Sequence, residues 1–193
     1  MKTAMHVEHA KKERKAMAIT ALDIYKAFDQ IVRPVLYMVL QQAGFPHHVL
    51  KAYAGMMEDM HVRNSLAGGV GGLYKRPCAI PQGCPWSMGH LSKLAEGWGK
   101  IMEEAGGAPT LLADGLKVRT EAAIGEDVDL CERHHGCVKA TLTFFEAMGA
   151  RIAANTSLSL GTSRALRQRL KRMAWDGRTI PVACDARDLG SHL

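Results

Sequence analysis

Four stretches of this chain carry residues whose types and spacing could do chemistry. LLADGLKV, Leu111 to Val118, sets Asp114 and Gly115 between two short apolar runs. Asp-Gly flanked by apolar residues is the strongest short-range signal for a tight β-hairpin, and a lone carboxylate at a hairpin tip is ordinarily a turn residue. CERHHGC, Cys131 to Cys137, offers thiols and imidazoles, the donors that zinc takes. Its spacing fits none of the usual structural sites, which use well-separated ligand pairs; on a helix these side chains are simply neighbours on one face. GGVGG, Gly68 to Gly72, lacks the Gly-Lys-Ser/Thr ending and the strand-to-helix setting of a phosphate loop, and reads as a flexible hairpin tip. SRALRQRLKRM, Ser163 to Met173, places five Arg or Lys over an apolar stripe of Leu166, Leu170 and Met173. Such a face either meets nucleic-acid phosphates or is solvated.

The elements that must position these residues follow from periodicity. MAITALDI, Met17 to Ile24, is a short apolar run that reads as a buried strand with Asp23 near its end. RPVLYMVLQQAG reads as a helix, with Pro34 suited to its first turn and Gly44 to its stop. A second helix is expected from about His47 to Met60, then two strands around the glycine-rich turn. Pro85 and Trp86 open another helical stretch, with Leu91, Leu94, Trp98, Ile101 and Met102 on one broad face. After the Asp114 hairpin, a long helix is expected from Asp127 to Met148, interrupted near Gly136. Two short strands, ARIAA and SLSLG, precede the basic helix. The order predicts an α+β fold, an antiparallel sheet backed by helices.

The totals bound the function classes. With 193 residues, 47% of them hydrophobic, the chain makes one ordinary domain with a buried core. The net charge of +6 and a pI near 9.2 favour polyanionic partners. Five Cys, an odd and irregularly spaced number with no signal peptide before them, read as reduced thiols in an intracellular protein, nuclear or cytoplasmic and not secreted. No apolar run approaches the roughly 20 residues that span a bilayer, so no membrane partner is expected. The first residues, MKTAMHVEHAKKERKAM, are basic and polar, carry Glu8 and Glu13, lack an apolar face and make a poor targeting peptide.

Two further stretches give these elements a family. LDIYKAFDQI, Leu22 to Ile31, resembles the first palm motif of reverse transcriptases, especially the non-LTR (LINE-like) retrotransposon type: an apolar strand, an Asp, then Lys-Ala-Phe-Asp. AIPQGCPWSM, Ala79 to Met88, is more specific and resembles the second palm motif, Pro-Gln-Gly followed by a small or apolar residue, Pro and Ser. GFPHHVLKAYAGMM resembles the helix between those motifs, FFEAMGARIAANTSLSLGTS the region after the catalytic hairpin, and ARDLGSHL the Leu-Gly turn that grips the primer. In the family's order, the resemblance runs from about Met5 to Leu193.

The resemblance implies a polymerase palm-like α+β fold with fingers and thumb largely missing. It makes residues 1–193 a single partial reverse transcriptase domain: a basic leading segment (1–16), the palm (17–162), and a basic helix with a primer-grip-like end (163–193). It also implies RNA-templated DNA synthesis, in which a primer 3′-hydroxyl attacks an α-phosphate between two divalent ions roughly 4 Å apart. Mg²⁺ (or Mn²⁺) takes oxygen ligands. By resemblance Asp23 is the first such carboxylate and Asp114 the first acid of the family's Asp-Asp pair, so both are the implied catalytic and metal residues. Gly115 stands where the second acid would be, keeping the turn chemistry and losing the charge. Phe28 takes the place of the aromatic wall that selects deoxynucleotides, and Pro81, Gln82 and Gly83 that of the turn contacting template and nucleotide. Leu189 and Gly190 match the primer grip. Asp29 reads as a cap for the following helix.

IAANTSLSL, Ile152 to Leu160, carries Asn155, Thr156 and Ser157 where the family often has a Lys. Implied partners are an RNA template, a DNA primer and deoxynucleoside triphosphates, with companion segments supplying fingers and thumb. Two functions follow: an RNA-directed DNA polymerase impaired by Gly115 and truncation, or a catalytically inactive palm remnant that binds nucleic acid non-specifically.

Overall fold

The computed structural model describes residues 2–112, 115–175, 177 and 179–183. They form two compact units, one of residues up to Tyr25 together with those from Ala95 onward, the other of Lys26–Leu94.

The first unit is built on β1 (Lys15–Asp23), whose sequence KAMAITALD is apolar at nearly every position. A strand reads this way when both of its faces are covered. On one face Ala16 and Ala18 pack with Leu130 and Cys131 of α5 (Asp127–Ala147) and with Leu166 and Leu170 of α6 (Arg164–Leu170). On the other, Met17 and Ile19 pack with Val7 and Ala10 of α1 (Lys2–Lys12). The leading segment therefore has an apolar face after all. It is only two residues wide, and the three-residue spacing of Val7 and Ala10 sets both on one side of a helix.

Five strands make the sheet, in the order β6-β7-β1-β8-β9. The hairpin of β6 (Ala108–Leu112) and β7 (Gly115–Ala123) pairs antiparallel, β7 pairs antiparallel with β1, and β1 pairs antiparallel with β8 (Leu158–Gly161). The short β9 (Val182–Ala183) alone is parallel, to β8. The sheet is thus antiparallel in the main and backed by helices, as the residue patterns predict.

Three local expectations change. Leu112 pairs with Gly115, so Gly115 is the first residue of β7 rather than a turn centre. ARIAA does not form a strand; it contributes one bridge, Ile152 to Ile24. Helix α5 runs unbroken through Gly136, because Cys131, His134, Cys137, Val138 and Thr141 around that glycine are all buried. Their burial outweighs the roughly 1 kcal/mol helix penalty of one glycine. At the end of β8, a Cβ on Gly161 would lie 3.0 Å from Leu166 Cγ and 3.1 Å from the Arg167 nitrogen, so only glycine lets α6 return this closely.

The second unit begins with a 3-10 turn, Ala27–Asp29, then α2 (Arg33–Gln42) and α3 (His47–Asp59), which pack together. Leu36, Leu40, Leu50, Tyr53 and Met57 are buried on their inner faces. The glycine-rich stretch becomes two small ladders, β2 (His61–Val62) with β5 (Tyr74–Lys75) and β3 (Ser65–Leu66) with β4 (Gly69–Val70). Arg33, 2% exposed, donates to the carbonyls of Met57 and Arg76, tying this ribbon to α3. Helix α4 (Ser87–Glu104) starts here and ends in the first unit. Among the described residues no helix is long and apolar enough to cross a membrane.

Candidate functional site

Asp23 ends β1 at the edge of the buried region and is half-buried. Its backbone is clasped by the segment after α5. The Ala153 amide donates to the Asp23 carbonyl at 2.8 Å, and the Asp23 amide donates to Ser157 Oγ at 3.2 Å. Ser157 in turn donates to the Ala153 carbonyl at 2.8 Å. Thr156 Oγ1 donates to the Asp23 carboxylate itself, at 2.6 Å from Oδ2. Thr156 and Ser157 stand out in the sequence only as positions without a lysine. The structure makes them the residues that orient the first carboxylate.

Across the sheet, Asp23 pairs directly with Gly115. Directly opposed residues of an antiparallel pair project to the same face. The position that the resemblance assigns to the second acid of the pair therefore faces Asp23, and it carries no side chain. Asp114 lies outside the described residues, as do Leu189 and Gly190.

Among the described residues no group of three or more His, Cys, Asp or Glu could hold a metal ion. Among the described residues, the sheet end offers one carboxylate, that of Asp23. A two-ion centre needs several oxygen donors from adjacent positions, so the described residues do not by themselves fit one.

Behind Asp23 the sheet is pinned by a buried polar network. His134 of α5 is wholly buried, with Nε2 2.7 Å from Thr20 Oγ1 on β1 and Nδ1 3.0 Å from Thr120 Oγ1 on β7. Thr20 Oγ1 also meets Ser159 Oγ on β8 at 2.8 Å. The imidazole thus engages two adjacent strands, and Thr20 carries the network on to a third. Burial, with a smaller contribution from neighbouring His135, lowers the His134 pKa from 6.5 to about 3, so the ring is neutral. In CERHHGC, then, His134 is a structural histidine, and the Cys131 and Cys137 thiols are pushed up by burial.

The remaining site residues lie in the second unit. Ile80 donates its amide to the Phe28 carbonyl at 2.9 Å, and Ala79 donates to Ile31 at 3.0 Å. These bonds bring Phe28 alongside the segment that enters Pro81, Gln82 and Gly83. Gly83 has φ +88°, a left-handed conformation that favours glycine. The turn is closed by Ser87 Oγ donating to the Pro81 carbonyl at 2.7 Å, which leaves Gln82 and Gly83 exposed. Asp29 does not cap α2, whose cap position is Val32. Its carboxylate pairs with Arg76 at 2.9 Å instead.

No protein-family model matches this sequence, and no curated protein matches it. Solved structures do share its fold. Apo telomerase from Candida tropicalis, truncated from its C-terminal domain, superposes with a TM-score of 0.59 at 14% identity, over 83% of this chain and 35% of that one. Telomerase from the same organism in complex with a TWJ fragment of telomeric RNA gives a TM-score of 0.59 at 12% identity, over 93% of this chain and 30% of that one. This chain spans about a third of the length of the telomerase chains it matches. The fold is a palm-like α+β fold, shared with those telomerase chains.

Proposed function

We propose that this chain is a non-LTR-type reverse transcriptase palm that binds an RNA template and a DNA primer, and whose nucleotidyl transfer is impaired at position 115. The observation that supports this reading is the Asp23–Gly115 pair, which sets the position that the resemblance assigns to the second acid opposite Asp23. Asp23 and Asp114 are the acids left to hold a Mg²⁺ or Mn²⁺ ion. Phe28, Pro81, Gln82 and Gly83 are the residues proposed to meet the incoming deoxynucleoside triphosphate and the template. The net charge of +6 supports the polyanionic partners.

Primer extension on an RNA template tests the proposal, with the protein supplied with a fingers segment and carrying either Gly115 or Gly115→Asp. Extension should be marginal with Gly115 and rise by orders of magnitude with Asp. Equal rates would overturn the claim that Gly115 marks lost catalysis. If neither protein extends a primer but both bind nucleic acid, the inactive, non-specifically binding palm is the better reading.

A further inference from the structure

Two strained backbone positions stand beside Phe28, both within the second unit. Phe28 is the middle residue of the 3-10 turn Ala27–Asp29, and Lys26 opens that turn in the left-handed region at φ +46°. Ala79, in the segment that enters Pro81, lies at φ +89°. Neither residue is glycine, so each conformation is unfavourable by itself and persists only where surrounding contacts hold it.

Those contacts join the Phe28 turn to the segment before Pro81. The Asp29 amide closes the turn on the Lys26 carbonyl at 2.8 Å, while Ile80 and Ala79 donate to the Phe28 and Ile31 carbonyls. Cys78 Sγ donates to the Asp29 carbonyl at 3.3 Å. The Arg76 guanidinium reaches the Asp29 carboxylate at 2.9 Å, and the Arg76 carbonyl accepts from buried Arg33. Residues 76–80 are thus fastened along residues 28–33.

Among these ties the Arg76–Asp29 pair stands partly in solvent, its side chains 41% and 35% exposed. A pair so placed adds little stability. What it fixes is orientation. With the carbonyls of Phe28 and Asp29 both bonded and the Asp29 side chain gripped, the peptide joining the two residues cannot turn. That sets the direction in which the half-buried Phe28 ring leaves the chain. Pro81 follows Ile80 directly, so the same ties set this ring relative to the Pro81–Gly83 turn. We infer that Arg76 is a positioning residue for nucleotide choice: through Asp29 it holds the Phe28 ring against the 2′ position of an incoming nucleoside triphosphate, favouring the deoxy sugar. The inference rests on the nucleotide site proposed above, but not on turnover there.

The test is equilibrium binding of dATP and of ATP, each with Mg²⁺, to the protein on an RNA template and DNA primer whose next template base is uracil, read by NMR shift titration. The original protein should prefer dATP by on the order of tenfold, and Phe28→Ala should abolish that preference. Arg76→Gln keeps the main-chain carbonyl that Arg33 holds, and Asp29→Asn keeps the side chain's shape, so both should fold. Each should remove most of the preference, chiefly by tightening ATP, whereas Arg76→Lys, which keeps the charge, should retain it. If Phe28→Ala loses the preference while Arg76→Gln and Asp29→Asn keep it, even with lowered melting temperatures, the pair is only structural. The inference is then overturned with the nucleotide site intact. If neither nucleotide binds, or Phe28→Ala changes nothing, the nucleotide site itself falls and the inference with it.

Discussion

Gly115 stands directly across the β1–β7 ladder from Asp23, on the same face of the sheet. In Gly115→Asp two carboxylates would oppose each other there. Like charges directly opposite destabilise a sheet by up to about 1 kcal/mol, so the variant should melt slightly below the original protein in metal-free buffer. Added Mg²⁺ or Mn²⁺ should raise its melting temperature by more than that of the Gly115 protein, since only the variant gains a facing carboxylate. An equal response of the two proteins would show that residue 115 does not face the Asp23 carboxylate.

Thr156 Oγ1 is the side chain that orients Asp23. Thr156→Val removes that hydroxyl and should cost about 0.5–1.5 kcal/mol in urea denaturation. In an Asp23→Ala background the same substitution should cost nearly nothing, giving a coupling energy on the order of 1 kcal/mol. Additive losses would mean that the contact contributes no energy.

His134 makes stability depend on pH. Its pKa is about 3 in the fold, against 6.5 for the ordinary imidazole. Between those values the unfolded chain takes up a proton that the folded chain refuses. Stability is therefore undiminished above about pH 6.5, falls as pH drops below it, and levels off near pH 3. The loss should amount to a few kcal/mol at most. His134→Gln should be less stable at neutral pH but lose this slope in chemical denaturation followed against pH. A slope that persists in the variant would place the acid sensitivity elsewhere.

The basic face of α6 is mostly open to solvent. Arg164, Arg169, Lys171 and Arg172 are exposed, while Arg167 is held by its 2.8 Å bond to the Gly161 carbonyl. Replacing Arg164, Arg169 and Lys171 by Ala should therefore leave the fold intact and weaken binding to duplex or single-stranded nucleic acid regardless of sequence. The slope of log K against log salt should flatten by about 2–3 units. An unchanged slope would show that the helix merely faces water.

Much of this protein was legible in its residues. The apolar run through Met17, Ile19 and Leu22 announced a buried strand, and its last residue put Asp23 at an edge. Leu166 and Leu170, four apart, announced the buried stripe beneath the basic helix face. Pro81 and Gly83 read as a Pro-Gly-rich loop before a helix, and a turn closes there. These features are local: periodicity and turn chemistry act over a few residues, so a single stretch suffices to show them.

Only the tertiary structure decided the rest. Thr156 reaches Asp23 from 133 residues away, and His134 reaches Thr20 from 114. No local pattern marks such pairs, because what brings them together is the packing of α5 against the sheet and the order of its strands. Register is the sharpest case. The Asp-Gly signal located a hairpin but not the register of its strands, and a one-residue slip sends every side chain of a strand to the opposite face. The ladder settles it, pairing Leu112 with Gly115 and Gly115 with Asp23. By resemblance, the sequence by itself set Gly115 where the motif's second acid would stand; the sheet, through the hydrogen bonds that set its register, decided that this position faces Asp23.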